Sequence, residues 1–219
     1  MRLIFATNNF HKLSEIRDIL GAKFRDIVFS MSDLNIHLDP VESGSTFDEN
    51  SYIKSSALYN AMKNNNMLKT NDYIIADDTG LCIDFLDGAP GIMSARFMGK
   101  DTNQDMKNKQ IILLMKDVKN EERTAYFITS LSVLEIKNPY DLPKKMFFEG
   151  KINGYIAKSI EKTDGFGYDP IFAVGNPNDI EKGQVKTYSN LGIQEKNKIS
   201  HRAIALLKFV QYLAKDHNI

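Results

Sequence analysis

The stretch Ile75-Ala-Asp-Asp-Thr-Gly-Leu81 is the centre around which the other sequence motifs are arranged. Tyr73 to Ala76 has the length and apolarity of a short buried strand. Two adjacent carboxylates, Asp77 and Asp78, follow it, and Thr79-Gly80 predicts a turn before the apolar run resumes. Paired acids at a strand end suit a magnesium ion with a free base beside it. They are equally typical of a solvated turn, so this stretch alone leaves both interpretations open.

The two aspartates cannot perform the same task if they lie on one strand. Successive strand residues point to opposite faces of a sheet. Asp77 and Asp78 would therefore share a site only if the turn brought one of them round. Which of the two would contact a metal is not decided by the sequence.

Composition excludes several classes of protein. The 219 residues contain 28 Lys plus Arg and 28 Asp plus Glu, and this balance argues against a nucleic-acid binder. No run approaches the roughly 20 apolar residues of a membrane span, and polar residues interrupt the N-terminal segment where a signal peptide would be apolar. Cys82 is the one cysteine, which excludes an internal disulfide and favours a reducing compartment. We therefore expect a cytoplasmic protein with no nucleic-acid or membrane partner.

The chain opens with a predicted strand–loop–helix unit. Leu3 to Ala6 is apolar, Thr7-Asn-Asn-Phe-His-Lys12 is polar, and apolar residues then recur at helical spacing to Leu20. The free N–H groups and positive dipole of a helix N-terminus favour phosphate, and Lys12 would add a full charge. The alternative is a plain N-cap at Asn9 with Lys12 in solvent.

A second polar cluster is predicted around the helix that starts at Thr46. Thr46-Phe-Asp-Glu49 is a capping box, and the helix should continue to about Lys63. Asn50 and Lys54 lie on one face of it, at spacing i, i+4. Glu42 precedes the helix and could face the same place, although it could also be a surface carboxylate.

The remaining elements are predicted from patterning and turn residues. Thr124 to Ile136 alternates and indicates a long half-buried strand. A strand pair, Met146 to Glu149 and Tyr155 to Ile160, is predicted around a turn at the intervening glycines. Ser200 should cap the last helix and place His201-Arg202 in its first turn, where cations oppose the helix dipole. That local conflict suggests a site.

These clusters together suit a nucleoside triphosphate. Lysines and a helix N-terminus bind phosphates, carboxylates bind magnesium, an aromatic ring stacks on a base, and His or Arg donates to the edge of the base. The sequence contains neither a Walker A loop nor the glycine fingerprint of dinucleotide-binding proteins.

Six motifs in order resemble the inosine triphosphate pyrophosphatase family, whose members remove aberrant purine nucleotides. They are Thr7–Lys12, Thr46–Asn50 with Lys54, Ala76–Leu81, Gly88–Phe97, Gly165–Phe172 and Ser200–Arg202. The resemblance implies a single ITPase/Maf-like α/β domain over residues 1–219, with an elongated mixed β-sheet flanked by helices and two lobes with a central cleft. It also implies a homodimer that uses Mg²⁺.

The resemblance also implies the reaction and the site residues. Water would attack the α-phosphorus of ITP, dITP or XTP, releasing the nucleoside monophosphate and pyrophosphate. Asp78 would be the general base and a metal-site carboxylate, and Glu42 and Asp77 would share the metal site. Thr7, Asn9, Lys12, Lys54 and Thr79 resemble phosphate contacts, Phe166 resembles the base-stacking residue, and Asp169, Lys196, His201 and Arg202 resemble contacts to the base or its phosphates. The full substrate-binding set also includes Asn8, Gly167 and Tyr168.

Two alternatives remain at the level of sequence. One is a Maf-like pyrophosphatase with another base specificity, against which Phe166 and Arg202 argue. The other is a nucleotide sensor without catalysis, against which the intact acids argue. The chain departs from the family pattern at Thr79, where the family usually has Ser, and at Ala203, where it usually has Gly. The roles of segments 138–148 and 176–193 are left open.

Overall fold

The structure is a computed structural model that describes residues 1–160, 166–175 and 186–217. The chain divides into two compact units. Unit 1 comprises Met1–Asp78, Thr129–Gly150 and Arg202–Ile219, and unit 2 comprises Thr79–Ile128 and Lys151–His201. The strands are β1 (Arg2–Phe5), β2 (Val28–Ser30), β3 (Asp72–Ile83), β4 (Thr124–Ile136), β5 (Lys144–Ile156), β6 (Phe172–Val174) and β7 (Lys186–Thr187). The α-helices are α1 (Phe10–Leu20), α2 (Phe47–Asn64), α3 (Gln104–Leu114), α4 (Tyr188–Leu191), α5 (Ile193–Ile199) and α6 (His201–His217).

The strands form a mixed seven-stranded sheet in the order β2-β1-β3-β4-β5-β6-β7. In unit 1, β1 pairs in parallel with both β2 and β3, as a strand–helix–strand crossover requires. In unit 2, β6 is antiparallel to both β5 and β7. The predicted α/β class with a mixed sheet is therefore confirmed. Among the described residues, no helix combines the length and apolarity needed to cross a membrane.

Strand alternation sorts the core of unit 1 into two layers. Odd-numbered residues of β3 pack with the apolar faces of α1 and α6, in a cluster that includes Leu3, Phe5, Leu13, Ile16, Tyr73, Ile75, Leu206 and Phe209. Even-numbered residues of β3 pack with α2, in a cluster that includes Ile4, Leu58, Met62, Ile74 and Ala76. Asp77 continues the first series and Asp78 the second, so each aspartate faces a different helical layer.

The turn predicted at Thr79-Gly80 is wrong, because β3 continues without a break to Ile83. All of its residues except Thr79 are buried. Sheet pairing of the backbone overrides the turn propensity of Thr79-Gly80, and the two carboxylates have cationic partners in the fold. Without a turn, nothing reverses the alternation, and Asp77 and Asp78 stay on opposite faces.

The strand pair predicted around Gly150 to Gly154 is also wrong, since β5 is a single strand from Lys144 to Ile156. Gly154 serves close packing instead of a turn. A Cβ built on it would lie 2.3 Å from the carbonyl oxygen of Ala173 and 2.5 Å from the Phe172 ring. The strand predicted at Thr124 to Ile136, by contrast, is found with those bounds.

Candidate active site

The N-terminus of α1 follows directly from the loop after β1. Asn9 is its N-cap, and its Oδ1 accepts the Lys12 N–H at 3.1 Å. The half-buried Thr7 accepts the Asn9 N–H through Oγ1 at 3.1 Å. Capping therefore occurs as one interpretation predicted, but Lys12 is not simply solvated. Its ammonium lies 2.9 Å from Asp77 Oδ2.

Asp77 is held between two cations on the α1–α6 face. Besides Lys12, Arg202 Nη2 donates to Asp77 Oδ2 at 3.3 Å, and Arg202 Nη1 donates to Glu15. Burial alone would raise the pKa of Asp77, but the charges of Lys12, Arg202 and Lys54 hold this pKa well below its usual range. Burial lowers the pKa of Lys12, and Asp77 opposes that shift. We call Lys12, Glu15, Asp77 and Arg202 the paired group, since two cations meet two carboxylates there.

Asp78 lies in a different charge balance on the α2 face. Lys54 Nζ donates to Glu42 Oε1 at 2.8 Å and to Asp78 Oδ1 at 3.2 Å, so two carboxylates share one ammonium. Asp78 Oδ2 is buried and has no hydrogen-bond partner within the described residues. Burial raises the pKa of Asp78, and the Lys54 charge offsets this shift only in part. We call Glu42, Lys54 and Asp78 the shared-lysine group.

The N-terminal half of α2 fixes Lys54 in this group. Thr46 caps the helix by accepting the Glu49 N–H at 3.1 Å, while the Glu49 carboxylate accepts the Ser45 N–H at 2.6 Å. Asn50, one turn before Lys54, accepts the Gly44 N–H through Oδ1 at 2.8 Å. Farther along, Ser55 Oγ lies 2.8 Å from Ser132 Oγ of β4, and both residues are fully buried.

The shared-lysine group has the donor chemistry of a magnesium site, although its ligand set is incomplete. Within the described part of the chain, no three His, Cys, Asp or Glu side chains converge closely enough to hold one metal ion. Glu42 and Asp78 nevertheless supply the carboxylate oxygens that Mg²⁺ prefers, and Asp78 Oδ2 is a buried acceptor to which no described residue donates. Substrate phosphates and water normally complete such a site.

A third group lies in unit 2. Lys196 Nζ donates to Asp169 Oδ2 at 2.7 Å, and the same oxygen accepts the Phe166 N–H at 3.2 Å. Both charged side chains are buried, whereas the Phe166 ring is 38% exposed. Gly167 adopts φ 63°, and its carbonyl accepts from Asn108 at 3.1 Å. Asp169 and Lys196 thus fix a loop that presents an exposed aromatic ring.

Two of the predicted substrate-binding side chains are engaged inside unit 2. The buried ring of His201 stacks on Phe127 with centroids 4.6 Å apart, and Tyr188 lies parallel to both rings. The hydroxyl of the buried Tyr168 donates to the Ser94 carbonyl at 2.8 Å. These contacts explain how the two side chains are positioned, and their roles toward a nucleotide stay predictions.

The structure gathers most of the predicted residues into these three groups. Asn8 is the clearest exception, since it is exposed and donates to the Leu38 carbonyl at 2.9 Å. Thr79 lies half-buried in β3. Sequence reasoning missed Glu15, which is 9% exposed and pairs with Arg202. A signal existed, because Glu15 follows Lys12 by one helical turn among the apolar positions of α1.

Fold and site together define an α/β protein with carboxylates and lysines paired close to a helix N-terminus. A sequence model of the Ham1 family matches residues 3–212. A dITP/XTP pyrophosphatase of Thermoanaerobacter pseudethanolicus is 39% identical over 215 residues, which cover 98% of each chain. One of Borreliella burgdorferi is 40% identical over 220 residues, covering 98% of this chain and 96% of its own.

A solved structure of the Staphylococcus aureus Ham1 protein superposes with a TM-score of 0.78 at 30% identity, covering 99% of this chain and all of that one. The chain belongs to the Ham1 family. The resemblance predicted from the six motifs is therefore confirmed.

Proposed function

We propose that this chain is a nucleoside triphosphate pyrophosphatase that hydrolyses dITP, ITP and XTP to the nucleoside monophosphate and pyrophosphate. Its relatives that are named dITP/XTP pyrophosphatase support this substrate class. The observation that carries the proposal is the shared-lysine group, in which the buried Asp78 has one carboxylate oxygen with no donor among the residues that the structure describes. A general base needs such an oxygen to accept a proton from water.

The phosphates would bind at the N-terminus of α1 and at the two lysines. The side chains of Lys12 and Lys54 are largely buried, with 19% and 14% of their surfaces exposed, and supply the two positive charges. Backbone N–H groups of the α1 terminus add donors, and Thr7, Asn9 and Thr79 are the neutral contacts that the resemblance implies. These groups would stabilise the negative charge that gathers on the leaving pyrophosphate.

Mg²⁺ is the proposed cofactor, and Glu42 and Asp78 would hold it. When bound, it would neutralise phosphate charge and lower the pKa of a nearby water. Asp77 was predicted to share this site and stays a predicted ligand. Its Oδ2, however, already contacts Lys12 and Arg202, so we assign Asp77 first to holding those two cations in place.

Asp78 would act on the attacking water. One water proton passes to the Asp78 carboxylate as the water oxygen bonds to the α-phosphorus. The bond from that phosphorus to the oxygen bridging to the β-phosphorus breaks, and pyrophosphate leaves with its electron pair. Lys54 keeps Asp78 oriented and lowers its pKa against the effect of burial, so that the base remains available.

The loop at Phe166 and the first residues of α6 would recognise the base. The exposed Phe166 ring offers a stacking face, and Asp169 and Lys196 fix its loop, with Gly167 and Tyr168 completing it. Donors such as His201 and Arg202 would favour the 6-oxo group of hypoxanthine and xanthine over the 6-amino group of adenine. We further infer a homodimer in the cytoplasm, to be checked by light scattering and cell fractionation.

Pyrophosphate release from dITP, XTP, GTP and ATP, measured with and without Mg²⁺, tests the proposal. We expect turnover of dITP and XTP that depends on Mg²⁺ and is at least about 100-fold faster than that of ATP. Equal rates with ATP would contradict the proposed base specificity. Turnover of other nucleotides alone would favour the Maf-like alternative, and binding without turnover would favour the sensor.

A further inference from the structure

Glu42 lies in a segment that has no regular structure to hold it. Residues 36–44 form neither helix nor strand, and α2 begins only at Phe47. The Glu42 carboxylate nevertheless contacts Lys54 Nζ at 2.8 Å. Something other than a helix or strand must therefore fix the backbone on either side of Glu42.

A partly buried hydrogen bond to a fully buried acceptor residue holds that backbone after Glu42. Asn50 is fully buried on α2, and its Oδ1 accepts the Gly44 N–H at 2.8 Å. The anchor on the other side of Glu42, from Asn8 to the Leu38 carbonyl, is exposed to solvent. A buried amide hydrogen bond is costly to leave unmade, whereas water readily replaces an exposed one.

Gly44 is fitted to this contact by its lack of a side chain. A Cβ built on Gly44 would lie 2.8 Å from Asn50 Oδ1 and 2.6 Å from Glu49 Cβ. Both distances are shorter than carbon side chains tolerate, so any larger residue would push the segment away from α2. Two independent features, a buried acceptor and a closely fitted glycine, thus hold the chain two residues after Glu42.

We propose that the Gly44–Asn50 contact positions Glu42 over Lys54 and Asp78, which makes Asn50 a positioning residue for the metal-binding carboxylate. The inference rests on the proposed function, because it assigns Glu42 to Mg²⁺. Asn50 and Lys54 are one helical turn apart on α2, so one helix sets both the ammonium and the carboxylate that it binds. Asn50 needs no direct contact with the nucleotide for this role.

Two variants remove the contact in different ways. Asn50→Ala deletes the acceptor, whereas Gly44→Ala displaces the donor and leaves the amide of Asn50 intact. Ser55→Ala is the control, since it removes a different hydrogen bond of α2, the fully buried one to Ser132, without touching the Glu42 segment. If Asn50→Ala fails to fold, Gly44→Ala tests the same contact.

The first measurement is hydrogen exchange in metal-free, nucleotide-free protein. We expect the amide of residue 44, relative to its intrinsic exchange rate, to exchange about fivefold faster in Asn50→Ala and Gly44→Ala, as loss of one hydrogen bond allows, and no change in Ser55→Ala. The second is the Mg²⁺ concentration for half-maximal turnover of dITP. We expect it to rise about tenfold in both variants, as loss of a ligand-supporting contact does, and to stay at the wild-type value in Ser55→Ala.

The outcomes separate the two proposals. Unchanged exchange at Gly44, faster exchange with an unchanged Mg²⁺ requirement, or an equal rise in Ser55→Ala would each overturn the positioning role. A wild-type protein that releases no pyrophosphate from dITP would instead overturn the proposed function.

Discussion

Asp77 and Asp78 are neighbours in sequence, are both buried in β3, and have opposite pKa shifts. Asp77 faces α1 and α6, where Lys12 and Arg202 both contact its Oδ2. Asp78 faces α2, where it shares Lys54 with Glu42. Desolvation raises the pKa of both carboxyls. At Asp77 the charges of Lys12, Arg202 and Lys54 outweigh it, whereas at Asp78 the charge of Lys54 offsets it only in part and the charge of Glu42 adds to it.

This difference teaches how one strand supplies two functions. A carboxylate held by two cations stays ionised and serves as a fixed anchor for them. A carboxylate that shares one cation with a second carboxylate, and to one oxygen of which no described residue donates, is ready to accept a proton or a metal. Because alternation sends adjacent residues to opposite faces, the fold provides both environments within two residues.

The largest expected effect is on turnover in Asp78→Asn. The amide keeps the shape of the side chain but cannot accept the water proton, so kcat for dITP should fall by roughly 100- to 10,000-fold. The measurement is steady-state pyrophosphate release, with thermal unfolding as the check on folding. A loss smaller than about tenfold would remove Asp78 from the role of base, since proton transfer by a positioned base is worth more than that.

The substitution Asp77→Asn should lower the free energy of unfolding, whereas Asp78→Asn acts on turnover. Removing the charge of Asp77 leaves the paired group with two cations, Lys12 and Arg202, and one carboxylate, Glu15. Arg202 is only 2% exposed. Breaking a buried ion pair from one side costs about 3–5 kcal/mol of unfolding free energy. Urea unfolding of the metal-free protein at pH 7 measures this, and Asp78→Asn is the matched control. Equal losses of unfolding free energy in Asp77→Asn and Asp78→Asn would show that the two faces of β3 do not differ as we describe.

The pH dependence of stability should have opposite signs for the two aspartates. The pKa of Asp77 is lowered in the folded state, so its charge stabilises the fold. This contribution to the free energy of unfolding is fully present above the unfolded Asp pKa of about 3.9 and is lost as pH falls below that value. The folded pKa of Asp78 is raised, so its charge opposes folding at neutral pH, and this effect disappears as pH falls through that pKa. Metal-free Asp77→Asn should therefore be less stable than wild type at pH 7 and Asp78→Asn more stable, with both differences shrinking toward pH 3. Urea unfolding from pH 3 to 7 measures both, and differences of the same sign would contradict this account.

Sequence patterns predicted the regular elements because those depend on local spacing. The bounds of β4 and the caps Asn9 and Thr46 are found as expected, whereas the predicted alternation of β4 is found only from Thr124 to Thr129, beyond which every residue is buried. Turn propensity failed at Thr79-Gly80 and at the glycines of β5, where sheet pairing and burial outweighed it. Local patterns also could not pair Glu15 with Arg202, because 187 positions separate them. The charge balance that distinguishes Asp77 from Asp78 is likewise set only by the fold.

The smallest expected effects are those of removing the N-caps of α1 and α2. Asn9 caps α1 on the Asp77 face and Thr46 caps α2 on the Asp78 face, each accepting a backbone N–H at 3.1 Å. Asn9→Ala and Thr46→Ala should each lower the free energy of unfolding by about 1 kcal/mol. Only Asn9 is also assigned to the phosphates, so Asn9→Ala alone should raise KM for dITP, by about fivefold for one lost hydrogen bond. Steady-state kinetics of the two variants decide this. If both raise KM equally, the α1 terminus has no special part in binding phosphate, and the Asp77 face would be only a scaffold for the Asp78 face.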